Sequence, residues 1–197
     1  MSEYVRAVAL GKATADVLIK NGKIDKINPT DTHYDNVIDG KGLYLSPGFI
    51  DVHIHGAGGH DTMNGTYESL NIIASTIAKH GTTSFTPTTM TVAKEDIRKA
   101  MHAIKEAKIK GTDGAVVLGA HLEGPFISPK AIGAQNPNFL IEPSVENFTD
   151  MVGDAEDAVV SITMAPEVDG AKELASHLTN KGILCSIGHT KATYNEA

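Results

Sequence analysis

From residue 43 onward the chain alternates short apolar segments with amphipathic ones, and this alternation restricts the fold more than any other feature. The apolar segments read as strands, at residues 43–55, 82–88, 115–122, 158–164 and 182–187. The intervening segments have helical spacing, at residues 66–79, 94–108, 144–152 and 170–179, with another beginning at 192. Nearly continuous apolar strands separated by helices predict a parallel sheet with helices outside it. Both a doubly wound sheet and a (β/α)₈ barrel produce this pattern.

The first 42 residues follow a different pattern. Residues 5–10, 16–20 and 23–27 read as short strands, and Asn21-Gly22 between the last two is a strong signal for a two-residue hairpin. This segment is therefore expected to form a small β-layer, or the first part of one.

Composition and charge exclude several classes of protein. The 197 residues are 41% hydrophobic, which suffices for one sizeable core and a small satellite domain. The formal net charge is −7 and the cationic residues are scattered, so nothing indicates a nucleic-acid partner. No signal peptide and no apolar run of about 18 residues is present, which argues against a membrane partner. The single cysteine, Cys185, fits a reducing compartment and indicates a cytoplasmic location.

Two histidines two residues apart mark the first candidate site. In Asp51-Val52-His53-Ile54-His55 the period of a strand places His53 and His55 on one face, with Asp51 beside them. Two imidazoles held by a stiff strand suit a first-row metal ion. The alternative is a pair of partly buried histidines with ordinary hydrogen bonds.

Glu123 and His189 follow two later strands and complete the candidate metal site. An acidic group such as Glu123 at the end of an apolar strand is costly unless it is paired or bound to a cation. His121 shares the face of Glu123, and His60 and Glu167 are further candidates near the site. Polar residues at the ends of successive strands converge in a barrel but only partly in an open sheet, so they favour the barrel. Mixed imidazole and carboxylate ligands suit Zn²⁺ and also admit Fe²⁺, Mn²⁺ or Co²⁺.

Several segments together resemble the N-acetylglucosamine-6-phosphate deacetylase family of the amidohydrolase superfamily. They include the His-x-His strand, His121-Leu122-Glu123-Gly124-Pro125-Phe126 and residues 133–137, 164–167 and 186–190. The resemblance implies an α/β fold, the N-terminal part of a (β/α)₈ amidohydrolase barrel preceded by strands of a small β-sandwich. Residues 1–42 would form the sandwich portion, and residues 43–197 would form the first five βα units of the barrel.

The resemblance also implies roles for particular residues. Glu123 and His189 match metal ligands of the main site, and His53 and His55 match a pair that binds a second ion in some members, so one or two divalent ions are expected. Ala134 and Gln135 lie in the loop that matches the family's contacts with the sugar and its acetyl group. The family pattern has His where this chain has Gln135, and Gln donates a hydrogen bond but carries no proton at neutral pH.

The reaction implied by the resemblance is metal-dependent hydrolysis of N-acetylglucosamine 6-phosphate, a phosphorylated amino sugar, to glucosamine 6-phosphate and acetate. The family's catalytic aspartate, its remaining histidine ligand and its phosphate-binding residues would lie beyond position 197. We therefore expect a truncated chain that is inactive by itself and exposes apolar strand edges, and a homodimer for the full-length protein.

Two other functions remain open at this stage. The first is a different amidohydrolase that acts on a cyclic amide, such as a dihydroorotase-like or imidazolonepropionase-like enzyme. It shares the His-x-His strand, but the Glu-Gly-Pro-Phe run counts against it. The second is a catalytically dead metal-binding or oligomerising scaffold, which Gln135 and the early end of the chain would support.

Overall fold

The computed structural model describes residues 2–30 and 34–197, and the chain forms two compact units, Met1–Pro47 and Gly48–Ala197. The first unit contains four strands, β1 (Ser2–Leu10), β2 (Ala13–Lys20), β3 (Lys23–Ile27) and β4 (Asn36–Asp39). The second unit begins with β5 (Phe49–Ile54), β6 (Gly56–Ala57), β7 (His60–Asp61), α1 (Tyr67–Ala78), β8 (Thr82–Pro87) and α2 (Lys94–Lys110). It continues with β9 (Val116–Val117), β10 (Ala120–Glu123), α3 (Val145–Val152), β11 (Val159–Met164), α4 (Ala171–Asn180) and β12 (Leu184–Ile187).

The first unit is a four-stranded sheet in the order β3-β2-β1-β4. The predicted hairpin is confirmed, because Lys20 pairs with Lys23 and both turn residues between them have positive φ, 52° at Asn21 and 73° at Gly22. β1 pairs antiparallel with β2 and parallel with β4. A small apolar cluster of Val5, Val8 and Val17 stabilises the sheet.

The second unit is built on parallel strands that follow one another in space as they do in sequence. β5, β8 and β9 form one three-stranded sheet, β10, β11 and β12 form another, and a parallel bridge between Thr88 and His121 joins the two. A doubly wound sheet would reverse its strand order at a switch point, and the described strands show no reversal. The order confirms the prediction of βα units from the first part of a barrel.

The third strand departs from the prediction. It was expected to run unbroken over residues 115–122, but it divides into β9, which pairs with β8, and β10, which pairs with β11. The division falls at Gly119, whose φ is +147°. A Cβ atom there would lie 2.4 Å from the carbonyl oxygen of Ala158. The close approach of the two backbones therefore requires glycine at this position.

Replacing Gly119 tests this requirement. We expect Gly119→Ala to lower the free energy of unfolding by about 1–3 kcal/mol, because it combines a disfavoured backbone conformation with a clash. Gly111→Ala is the matched control, since Gly111 also has positive φ (+82°) but nothing within 4 Å of the added Cβ. A smaller loss for Gly111→Ala in urea denaturation would assign the difference to the clash, and equal losses would contradict it.

The first barrel strand also begins later than predicted, at Phe49 rather than at residue 43. The backbone of Leu43 accepts a hydrogen bond from the N–H of Ala9, and Leu45 donates to the carbonyl of Ala9, so this segment extends the first unit.

Near residue 197, where the sequence indicates another helix from residue 192, residues 193–196 form a single turn. In this turn the Glu196 carboxylate accepts a hydrogen bond from the N–H of Thr193.

The helices bury their apolar stripes against the parallel strands. Thr66 caps the N-terminus of α1, because its side chain accepts a hydrogen bond from the N–H of Ser69. The helix buries Leu70, Ile73, Ala74 and Ile77, as its spacing predicts. The main core joins all four helices to the strands, and its largest fully buried side chains include Phe85, Phe126 and Phe148. None of the helices in the described part of the chain is long and apolar enough to cross a membrane.

A salt-bridge cluster connects α2 with α3. Lys94 and Arg98 contact the carboxylate of Asp150 at 2.7 and 3.0 Å, and both contacts hold the pKa of Asp150 below its ordinary value. A carboxyl group whose pKa is lowered on folding stabilises the fold above its unfolded pKa, and the effect disappears as the pH falls through the folded value. We expect Asp150→Asn to lower the urea midpoint at neutral pH and to leave it unchanged at about pH 2. A constant difference at both pH values would contradict this account.

The two edge strands of the parallel sheet carry exposed apolar side chains. Phe49, Ile50 and Val52 on β5 and Leu184 and Ile187 on β12 are each more than half exposed. Exposed apolar edges of this kind favour association. The self-association expected from the sequence therefore remains a prediction with a structural basis.

Candidate metal site

Three imidazoles converge on the carboxylate of Glu123 at the carboxyl ends of the parallel strands. His53 and His55 come from β5, Glu123 ends β10, and His189 follows β12. The Nε2 atoms of His55 and His53 lie 2.9 and 3.5 Å from Oε2 of Glu123, and Nε2 of His189 lies 2.7 Å from Oε1. The four residues selected from the sequence thus meet at one place.

Backbone carbonyls orient two of the three imidazoles. Nδ1 of His55 lies 3.1 Å from the carbonyl oxygen of Thr88, and Nδ1 of His189 lies 3.1 Å from that of Ala131. A carbonyl oxygen only accepts, so each Nδ1 must carry the proton. In a neutral imidazole the Nε2 lone pair then faces the Glu123 carboxylate. Two electron-rich atoms at this distance need a second ring proton or a cation between them.

The environment of Glu123 fits a cation. Its Oε2 atom is buried and accepts no hydrogen bond from the described part of the chain. The ligand atoms of His53, His55 and Glu123 all lie within 4.8 Å of one another, and these residues form a candidate metal-binding group. Histidines that donate Nδ1–H to a carbonyl and direct Nε2 inward have the orientation found in metal sites. The donor set suits Zn²⁺ and related divalent ions.

Electrostatics in the site depend on burial and on the cluster of rings. Burial raises the pKa of Glu123, but the hydrogen bond with His189 and the nearby imidazoles outweigh it, and the net effect is a lowered pKa. Burial, with a further contribution from His53, lowers the pKa of His121 to about 4. The site therefore combines an ionised carboxylate, that of Glu123, with a neutral imidazole, that of His121.

Thr91 connects Glu123 with the loop that follows it through two hydrogen bonds. The Thr91 hydroxyl donates to the carbonyl of Glu123, and the N–H of Thr91 donates to Oε1 of Gln135. Gln135 is buried, and its Nε2 lies 3.7 Å from the sulfur of Met90. Ala134, beside it, is exposed. The structure thus places these two residues on the loop over the site without testing the substrate contacts predicted for them.

The other candidates have structural partners. Glu167 accepts hydrogen bonds from the hydroxyl of Thr190 and the N–H of Lys191, and so ties down the loop that carries His189. His60 contacts the hydroxyl of Ser69. Burial raises the pKa of the Cys185 thiol, which favours its neutral form.

Sequence reasoning missed the groups that orient the ligands. Thr88 and Ala131 contribute through backbone carbonyls, which have no residue-type signature, and Thr91 is a β-branched residue in a strand-rich region. The run of threonines at residues 86–91 is a signal that could have drawn attention to Thr88 and Thr91, whereas the sequence around Ala131 offers no comparable signal.

The model of the amidohydrolase family matches residues 44–196. The N-acetylglucosamine-6-phosphate deacetylase of Lysinibacillus sphaericus is 37% identical over 183 residues, which cover 92% of this chain and 47% of that protein. The crystal structure of N-acetylglucosamine-6-phosphate deacetylase from Pasteurella multocida superposes with a TM-score of 0.88 at 28% identity, over 100% of this chain and 53% of that chain. A variant of the Mycobacterium smegmatis enzyme in complex with N-acetyl-D-glucosamine-6-phosphate matches with a TM-score of 0.84 at 26% identity, over 100% of this chain and 51% of that one.

The fold, the site and these matches agree, and the chain belongs to the amidohydrolase family. The relatives named above are N-acetylglucosamine-6-phosphate deacetylases, as the resemblance in the sequence predicts. An N-acetylgalactosamine-6-phosphate deacetylase of Escherichia coli O157:H7 is also similar, at 30% identity over 178 residues, which cover 90% of this chain and 46% of that protein. The chain spans about half the length of the curated relatives that it matches.

Proposed function

We propose that the chain carries the metal-binding part of a deacetylase active site, which hydrolyses N-acetylglucosamine 6-phosphate to glucosamine 6-phosphate and acetate. The observation that carries the proposal is the convergence of three imidazoles on the buried carboxylate of Glu123. The chain is more similar to an N-acetylglucosamine-6-phosphate deacetylase than to an N-acetylgalactosamine-6-phosphate deacetylase, which supports the choice of substrate. The proposed homodimer and cytoplasmic location stay predictions.

His53, His55, Glu123 and His189 would hold one or two divalent cations. A bound cation supplies Lewis acidity, which polarises an amide carbonyl and lowers the pKa of water to about 7. The residues of this chain contribute orientation: the carbonyls of Thr88 and Ala131 keep two imidazoles turned toward Glu123. Zn²⁺ is the first candidate, and Fe²⁺, Mn²⁺ and Co²⁺ accept the same donors.

Ala134 and Gln135 remain the proposed substrate contacts. Oε1 of Gln135 already accepts from Thr91, whereas among the described residues its Nε2 contacts the weak acceptor sulfur of Met90. The amide N–H groups of Gln135 are therefore the part of this side chain that is best able to donate to a substrate carbonyl or hydroxyl.

A proton must also move from water to the leaving amine. Glu123 is a poor candidate for this role because both of its oxygens face imidazoles. The catalytic aspartate predicted beyond position 197 would accept that proton, and we assign no catalytic residue within this chain.

The test combines metal analysis with an acetate assay. It uses the chain alone and the chain fused to the part of the Lysinibacillus sphaericus relative that it does not match. We expect bound divalent metal in both and acetate release from N-acetylglucosamine 6-phosphate by the fusion. Circular dichroism verifies that both proteins fold.

Three outcomes would contradict the proposal. Hydrolysis of a cyclic amide such as dihydroorotate, without acetate release, would favour a different amidohydrolase. Bound metal without turnover in the folded fusion would favour a scaffold. Absence of bound metal in both folded proteins would exclude the metal centre.

A further inference from the structure

His53 is held differently from the other two imidazoles of the site. His55 and His189 each contact a backbone carbonyl through Nδ1, but among the described residues no carbonyl accepts from the ring of His53. The side chain of His53 is 46% exposed, and its contact with Glu123, at 3.5 Å, is the longest of the three. An imidazole with this exposure and no anchoring hydrogen bond is free to change rotamer unless packing restrains it.

The ring of His121 supplies that restraint. The centroids of His121 and His53 lie 5.0 Å apart with an angle of 47° between the planes, and His55 packs edge-on against His53 at 5.2 Å. These separations are typical of favourable aromatic pairs. His53 therefore lies between two rings, of which His55 shares its strand and His121 comes from β10.

His121 is itself held rigidly. Its Nδ1 lies 2.7 Å from the hydroxyl of Ser161 and its Nε2 lies 3.1 Å from the hydroxyl of Thr163, both on β11. The residue is 4% exposed and lies on β10. With both nitrogens occupied by hydroxyls, His121 has no nitrogen available as a metal ligand in this arrangement.

We propose that His121 is a positioning residue for the metal site, because its rigidly held ring packs against His53 and keeps Nε2 of His53 turned toward Glu123. His121 does for His53 what the carbonyls of Thr88 and Ala131 do for the other two imidazoles. The expected effect on metal affinity rests on the proposed metal site. The restraint on the ring of His53 does not depend on a metal.

The experiment compares His121→Ala with His121→Phe in two measurements. The first is the orientation of the His53 ring in metal-free protein, from nuclear Overhauser contacts with its neighbours. The second is Zn²⁺ affinity by chelator competition. We expect His121→Ala to leave His53 averaged over rotamers and to weaken Zn²⁺ binding about 10- to 100-fold, as loss of a supporting group does. His121→Phe keeps a ring against His53 but loses both contacts with the hydroxyls of β11, so it is expected to restore both readouts in part.

Ser161→Ala provides a second route if His121→Ala fails to fold, since it removes one hydroxyl that holds His121. A smaller loss of His53 order and of Zn²⁺ affinity is expected. His102→Ala is the matched control, because His102 is half exposed and pairs with Asp154 away from the site. We expect His102→Ala to change neither the orientation of His53 nor the affinity for Zn²⁺.

Unchanged His53 orientation in His121→Ala, or equal impairment in the alanine and phenylalanine variants, would overturn the proposal. If wild-type protein binds no Zn²⁺, the proposed metal centre fails, and the metal-free measurement alone decides the role of His121. Loss of acetate release in the fused protein with normal Zn²⁺ binding would count against the proposed function and not against this inference.

Discussion

Glu123→Gln is expected to abolish metal binding while leaving the fold in place. Glutamine has the size of glutamate but offers a neutral amide, so the carboxylate that faces His53, His55 and His189 is lost. The affinity for Zn²⁺ should fall by more than the about 10- to 100-fold that loss of a merely supporting group causes. Metal content after dialysis, by mass spectrometry, and chelator competition both measure the effect.

The matched control for this substitution is Glu146→Gln. Glu146 is an exposed residue in the first turn of α3, so the same chemical change should leave metal content unaffected. Full metal content in Glu123→Gln would show that the carboxylate is not a ligand. Loss in both variants would point to a general effect of charge.

Phe85→Ala is expected to cause the largest loss of stability. Phe85 lies on β8, is fully buried, and belongs to the core that joins the helices to the parallel strands. Truncation removes an aromatic ring and leaves a cavity that close-packed neighbours fill only in part. The expected loss is about 3–5 kcal/mol in the free energy of unfolding, a large part of the total for a domain of this size.

Phe49→Ala is the control for Phe85→Ala. Phe49 carries the same side chain on the neighbouring strand β5, but it is 68% exposed, so we expect a loss of about 1 kcal/mol or less. Urea denaturation followed by circular dichroism measures both variants. Similar losses at the two positions would contradict the burial argument.

Local patterns predicted most of the fold. The spacing of Leu70, Ile73 and Ile77 predicts the buried face of α1, and the Asn21-Gly22 pair predicts the hairpin of the first unit. Such features depend on residues that are close in sequence, so they can be recognised from the sequence alone. The break at Gly119 was missed because it depends on the carbonyl of Ala158, 39 positions later.

In the candidate site, too, some features could be predicted from the sequence and others could not. His53, His55, Glu123 and His189 were identified because each is a polar residue at the end of an apolar strand, and parallel strands bring such ends together. The contacts of Gln135 within the chain could not be anticipated, since its partners Thr91 and Met90 lie more than 40 residues away. His121 was recognised as sharing the face of Glu123, but its hydroxyl partners on β11 were not.

By itself, the sequence determined most of the segments that become strands and helices, which four side chains are candidates to hold a cation, and to which family the chain is related. The tertiary structure alone decided how those side chains are held. The carbonyls of Thr88 and Ala131 reach the imidazoles of His55 and His189 across neighbouring strands and loops, and the hydroxyls of Ser161 and Thr163 hold His121 beside them. Contacts of that kind depend on strand register and loop path, which arise only when distant segments pack together.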